Sequence, residues 1–91
     1  MLLLFDKSFT KSLKKVKDNT IKQRILQFID LIKKASSIQE ISSVKKIKGF
    51  NNYYRYRFGD YRIGFRLEES NVVILIVIAK RNDIYKQFPL K

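Results

Sequence analysis

The 91-residue chain predicts an α+β fold: an N-terminal strand and an α-helical hairpin packed on one face of a small antiparallel β-sheet, in the order β-α-α-β-β-β. Three observations carry that prediction. Apolar residues in the first third recur with helical spacing, those after residue 52 alternate with strand spacing, and turn residues cut the second region into three runs. The one proline, Pro89, follows all of these runs and interrupts none.

Residues 2–5, LLLF, are a short apolar run that reads as a buried or paired first strand. Asp6 is a candidate N-cap, after which Phe9, Leu13 and Val16 fall at i, i+4 and i+7 with lysines between them. This is a short amphipathic helix expected to end near Asp18. Asn19 or Thr20 is expected to cap a second helix, in which Ile21, Ile25, Phe28 and Ile32 form a stripe widened by Leu26 and Ile29. Two such helices joined by a tight turn make a hairpin whose common apolar face has to be buried on another element. The lysines of the first helix, Lys14 and Lys15 among them, read as its solvent face. Residues 36–43 are a polar connection with room for a helical turn, and residues 44–52, VKKIKGFNN, read as a basic loop or irregular strand. Three strands follow at residues 53–58, 61–67 and 72–78. Gly59-Asp60 suits the Gly-X form of a two-residue hairpin turn, and residues 68–71, EESN, suit the second hairpin loop. With no internal repeat and no Pro/Gly/Ser-rich linker, one domain over residues 1–91 is expected.

Composition narrows the chemistry. A chain 45% hydrophobic and 31% charged is globular rather than disordered. It has no cysteine and no histidine, so disulfides, thiolate metal sites and imidazole ligands are all unavailable. The eight carboxylates are dispersed among caps, turns and loops, whereas two-metal phosphodiester chemistry gathers carboxylates around ions ~4 Å apart. No metal and no cofactor are therefore expected. The longest apolar run, residues 72–79, is far below the ~20 residues of a bilayer helix. The opening run is too short for a signal peptide and lacks a basic flank. The expectation is a cytoplasmic protein with no membrane contact. Twenty Lys and Arg against eight Asp and Glu give a net charge of +12 and a pI near 10.1, a field that attracts nucleic acid, acidic proteins or anionic surfaces whatever the fold.

Spacing says more than charge. In YYRYRFGDYRIGFR, residues 53–66, strand alternation puts Tyr54, Tyr56 and Phe58 on one face and Tyr53, Arg55 and Arg57 on the other. In the next strand Tyr61, Ile63, Phe65 and Leu67 oppose Arg62, Gly64 and Arg66. With the apolar sets against the helices, Arg55, Arg57, Arg62 and Arg66 form a patch. Residues 72–78 are apolar at every position, so that strand is expected to be covered on both faces and to lend the patch an apolar floor. The C-terminal segment or a bound partner would cover this floor. Any half-solvated antiparallel strand alternates in this way, but here the outward set is nearly all arginine with no interleaved acid. Like charges facing each other across a sheet are destabilising, and arginine's planar fork matches a phosphate. A bound anion would relieve the repulsion.

The stretch VKKIKGFNNYYRYRFGDYRIGFRLEESNVVILIVIAKRNDIYKQFP, residues 44–89, resembles the C-terminal half of the RelE/ParE superfamily of type II toxins. It has the Lys-x-Gly loop, the basic-x-basic strand, Gly-Asp-Tyr-Arg, a hydrophobic strand, a basic pair and Asp-Ile-Tyr. The helical hairpin before it also suits the family. The resemblance implies a ribosome-dependent mRNA interferase, neutralised by a cognate antitoxin with a small acidic toxin-binding segment in a toxin–antitoxin hetero-oligomer. Carried over by motif, Arg55 and Arg57 match the basic-x-basic strand, Arg62 the arginine of Gly-Asp-Tyr-Arg, Arg81 the post-strand arginine and Tyr85 the C-terminal tyrosine. Lys45, Lys46, Lys48, Arg66 and Lys80 would bind RNA around them. Two departures stand out: many relatives carry histidine near Lys80, and some have lysine where Arg57 stands. A ParE-like DNA gyrase inhibitor, which shares the fold, and a non-catalytic basic RNA-binding module are the alternatives.

RNA is cut without metal when its own 2′-hydroxyl attacks the adjacent phosphorus, leaving a 2′,3′-cyclic phosphate. Cations stabilise the phosphorane oxygens, often the largest catalytic contribution. On this reading Arg62 and Arg81 hold the phosphate, Arg55 and Arg57 orient the strand, and Tyr85 stacks on a base or relays a proton. Arginine stays protonated at accessible pH, which leaves Lys80, Tyr85 or the ribosome to supply the base. An antitoxin segment covering the arginine face, or displacing the tail that carries Tyr85, would silence such a site.

Overall fold

The computed structural model describes residues 1–69 and 71–89. In chain order the elements are β1 (Leu2–Phe5), α1 (Lys7–Leu13), α2 (Asn19–Lys34), β2 (Val44–Lys46), β3 (Tyr53–Phe58), β4 (Tyr61–Glu68) and β5 (Val72–Lys80), with single 3-10 turns at Ile38–Glu40 and Ile84–Lys86. Both helices start on aspartate caps. Asp6 accepts from the backbone N–H of Ser8, and Asp18 accepts from that of Thr20 at 2.8 Å. The second cap is therefore Asp18 rather than Asn19 or Thr20, because only the residue before the first helical turn can reach back-facing N–H groups with its side chain. The first helix also stops earlier than expected, at Leu13. A tight turn through Lys14 and Lys15 still carries Val16 into the core, with Val16 N donating to Leu13 O. At the far end of α2 the amino group of Met1 donates to the carbonyls of Ile32 and Ala35, at 3.0 and 2.9 Å.

The strands form one sheet in the order β1-β5-β4-β3-β2. The hairpins β3–β4 and β4–β5 are antiparallel, as expected, and β2 adds an antiparallel edge strand from the segment that reads as a basic loop. β1 pairs parallel to β5, so the sheet is mixed and β5 is an interior strand. The Gly59-Asp60 turn has positive φ at its glycine alone, the signature of the Gly-X hairpin turn. Ser70, in the second hairpin loop, lies outside the described residues.

The helical hairpin packs Phe9, Val16, Ile25, Phe28 and Ile32 onto Tyr56, Phe58, Ile63, Phe65, Val73, Leu75 and Ile78, forming the main core. The opposite face of β5 carries a second, smaller core of Ile76 and Val77 covered by Ile47, Ile84 and Phe88. A β-bulge makes both possible. Gly64 pairs with Val77 but Phe65 pairs with Leu75, leaving Ile76 as the extra residue. Its insertion shifts alternation by one, so Leu75 and Ile78 both reach the helices while Ile76 and Val77 both face the tail. The tail is seated by Gly64, where a Cβ atom would stand 2.6 Å from the ring of Phe88, itself 1% exposed. Gly64→Ala is expected to cost about 1–3 kcal/mol by overpacking. In urea unfolding, much of that loss should disappear when Gly64→Ala is made in a Phe88→Ala background. Additive losses would mean that the ring does not occupy this notch.

Candidate functional site

The hairpin turn and the start of the tail build the site together. Arg62, the second residue of β4, is the one charged residue among the buried side chains described, with 8% of its surface exposed. Its Nη1 donates to the carbonyls of Gly59 and Tyr61, both at 2.9 Å. The guanidinium is thus folded back onto the turn it follows. From the other side the backbone N–H of Arg81 donates to Asp60 O at 2.8 Å, tying the end of β5 to the same turn. Arg57 sits directly across the ladder from Arg62, and Arg55 lies one side-chain position further along that face, opposite Gly64. Tyr85 projects from the 3-10 turn and is 57% exposed.

These groups also act on one another electrostatically. Burial pulls the Arg62 guanidinium below the usual arginine range, and the positive charges of Arg55, Arg57 and Arg81 pull it further, while Tyr85 opposes them. Among the described residues no carboxylate forms an ion pair with Arg62, Arg55, Arg57 or Arg81. Four guanidinium groups therefore share one corner, the most buried of them held only by neutral carbonyls. Lys45, opposite Arg55 on β2, adds a second like-charge pair to the same face. Each such cross-strand pair opposes folding by a few tenths to ~1 kcal/mol.

The other expected contact residues are distributed differently. Arg66 stands opposite Tyr53, on the arginine face but across the Gly64–Phe88 contact from Arg62. It is paired with Glu68 at 2.8 Å, and hydrogen bonding to Tyr53 and the charge of Glu68 raise its pKa. An acid does, then, interleave with the arginines, at the end of the face distant from the turn. Lys46 pairs with Tyr54 and points to the helix side, and Lys48 lies in the following turn. Lys80 pairs with Tyr61 and so also points to the helix side, whereas Arg81, one residue on, is among the charges felt by Arg62. Sequence alternation passed over the Gly59 and Asp60 carbonyls and the Gly64–Phe88 contact. A lone glycine inside a strand pattern was the available signal for the last, since it marks close approach of another group. No group of three or more Asp or Glu able to hold a metal ion occurs among the described residues, and no described helix is long and apolar enough to cross a membrane.

With this geometry in view, the similarities to known proteins are consistent. A family model described as the ParE toxin of type II toxin–antitoxin systems, parDE, matches residues 3–85. "Toxin RelE3" of Methanocaldococcus jannaschii is 39% identical over 90 residues, covering 98% of this chain and 100% of that one. The crystal structure of the RelB-RelE antitoxin-toxin complex from Methanococcus jannaschii superimposes with a TM-score of 0.79 at 38% identity, over 94% of this chain and 99% of that chain. The isolated E. coli RelE toxin shares the fold, with a TM-score of 0.63 at 21% identity over 87% of this chain and 82% of that one. The chain belongs to the RelE/ParE superfamily of type II toxin–antitoxin toxins. Within it, the full-length similarity makes this a RelE-like toxin.

Because the arginine cluster is repulsive, Arg57→Gln is expected to stabilise the protein at low ionic strength, by a few tenths to ~1 kcal/mol. The gain should shrink in 1 M KCl, where the Debye length falls to ~3 Å. Thermal unfolding of both proteins at the two salt concentrations checks this. A destabilisation of equal size in both would contradict it.

Proposed function

We propose that this RelE-like toxin is a ribosome-dependent endoribonuclease that cleaves mRNA in the A site by metal-independent attack of the RNA 2′-hydroxyl. The observation that carries the reading is the buried, carboxylate-free Arg62 guanidinium among Arg55, Arg57 and Arg81. Such a cluster suits a dianionic phosphorane better than a singly charged diester, and differential stabilisation of that kind lowers a barrier. Arg62 and Arg81 hold the non-bridging oxygens, the first fixed by the turn carbonyls and the second by its backbone bond to Asp60. Arg55 and Arg57, on the exposed side, orient the strand. Tyr85 stacks on a base or passes a proton, and its exposure gives a ribosome-held message access to it. The chain has no histidine, and among the described residues no carboxylate pairs with these arginines, which leaves Tyr85 or the ribosome to complete the proton transfer. Of the remaining basic residues, Lys45 extends this face beside Arg55, while Lys46, Lys48 and Lys80, off the face, and Arg66, paired with Glu68, meet only RNA that runs beyond the centre.

The partner is a cognate antitoxin with an acidic toxin-binding segment, by analogy with the similar Methanococcus jannaschii chain, whose structure is a RelB-RelE complex. The net charge of +12 supports an acidic partner of that kind. The parDE description of the matching family favours a second reading, inhibition of DNA gyrase, in which no RNA is cut.

On programmed ribosomes, Arg81→Gln and Arg62→Gln are each expected to slow cleavage by about 10²–10³-fold, the range for loss of one preorganised donor. Products should end in a 2′,3′-cyclic phosphate. Arg81 is exposed, so its variant separates chemistry from folding. Wild-type cleavage by the double variant would retire the assignment, and DNA damage with intact message after induction would favour the gyrase reading.

A further inference from the structure

A second basic surface lies around the rim of the sheet from the arginine corner. Ser12 near the end of α1, Lys15 in the turn after it, Tyr61 on β4, Lys80 at the end of β5 and Lys86 on the tail line one groove of about 450 Å³, with Val16 and Ile78 at its base. Its volume falls within the ~300–1,000 Å³ of sites that hold small molecules. The three lysines come from three separate segments and converge only because the bulge at Ile76 turns Lys80 to the helix side. All three are exposed. The one acid in the lining, Asp83, forms only a long, exposed contact with Lys86, at 3.4 Å, so the groove keeps a net positive charge. Tyr61 gives it an aromatic wall that is already stiffened by stacking on Phe58, with centroids 6.0 Å apart and planes 17° apart. Cations over an apolar floor beside a fixed aromatic ring are the ingredients of a sequence-tolerant single-strand site.

We propose that this groove is a second single-stranded RNA subsite, taking a nucleotide next to the linkage held at the arginine corner, with its phosphates on Lys15, Lys80 and Lys86 and its base against Tyr61. Continuity supports it. Lys80 ends β5 on the helix side beside Tyr61, and Arg81, the next residue, is tied to the Asp60 carbonyl of the turn that holds Arg62, so a strand leaving Arg81 has only the rim to cross to reach the groove. The proposal rests on the RNA-cleaving reading and extends it to a site off the arginine face.

The test uses the full chain and a short oligouridine carrying 2′-O-methyl groups, which cannot be cut, with binding followed by fluorescence anisotropy over a KCl series. Lys15→Gln, Lys80→Gln, Lys86→Gln combined should weaken binding by about tenfold and reduce the salt slope by about 2, since each phosphate neutralised on a single strand contributes ~0.7. A control with the same charge change on the helices, Lys11→Gln, Lys22→Gln, Lys33→Gln, should change the slope little. Tyr61→Leu should weaken binding without altering the slope. Equal losses in the two triple variants would overturn the subsite by showing a generic field effect. So would unchanged RNA binding in the groove variant, including the case in which it loses only an acidic protein partner. If ribosome-bound message is cut while the free oligomer is not bound, the groove proposal falls and the nuclease reading stands. If message is never cut but the slope change appears, the subsite stands without the nuclease.

Discussion

Everything at the site depends on keeping a guanidinium buried without an acid beside it. A buried charge is usually paired, because neutral groups seldom compensate its lost hydration. Arg62 is held by two carbonyls of its own hairpin turn, and the nearby charges are of the same sign. The turn is therefore both a connector and a ligand. Its glycine adopts the positive φ that lets the chain reverse in two residues, which brings the Gly59 and Tyr61 carbonyls within reach of Nη1. The backbone bond from Arg81 to Asp60 secures the same loop to the end of β5. Folding thus holds these cations in place and builds in a repulsion that a bound anion would relieve.

The rest of the sheet separates this corner from other basic surface. Phe88, lying on Gly64, crosses the arginine face midway and leaves Arg66 on the far side, neutralised by Glu68. The bulge at Ile76 sends Lys80 to the helix side of β5, while the charge of Arg81 acts on Arg62 on the other face. A net charge of +12 is thereby divided into surfaces with different geometry: a partly dry corner of guanidinium groups, a lysine-lined groove, and a solvated helical face. Only the first combines burial, planarity and the absence of acid, the features that raise electrostatic stabilisation above its value in water.

Much of this is legible in the sequence. Alternation in residues 53–67 assigned Arg55, Arg57 and Arg62 to one face, because a strand half-buried on one side has no freedom to place them elsewhere. The unbroken apolar run of residues 72–78 announced a central strand covered on both sides, and Ile84 and Phe88 supply the second cover. What stayed hidden depended on long-range register. The parallel pairing of β1 with β5 joins segments some seventy residues apart, and local pattern carries no information about it. The bulge was hidden inside a run that is apolar at every position, where one extra residue leaves no trace in periodicity. The Arg66–Glu68 pair was missed because Glu68 read as turn rather than strand, although β4 extends through it. The late end expected for α1, near Asp18, comes from taking Val16 as helical, when a tight turn buries it equally well.

The most direct measurement is an NMR titration of the arginine side-chain N–H signals with a 2′,3′-cyclic nucleotide, the product of 2′-hydroxyl attack. If the buried corner is the phosphodiester site, the Arg62 and Arg81 resonances shift together and saturate at one equivalent, with Arg66 unmoved behind its ion pair. Shifts confined to Arg66, or a set of equal, unsaturating changes across every arginine and lysine, would contradict that account.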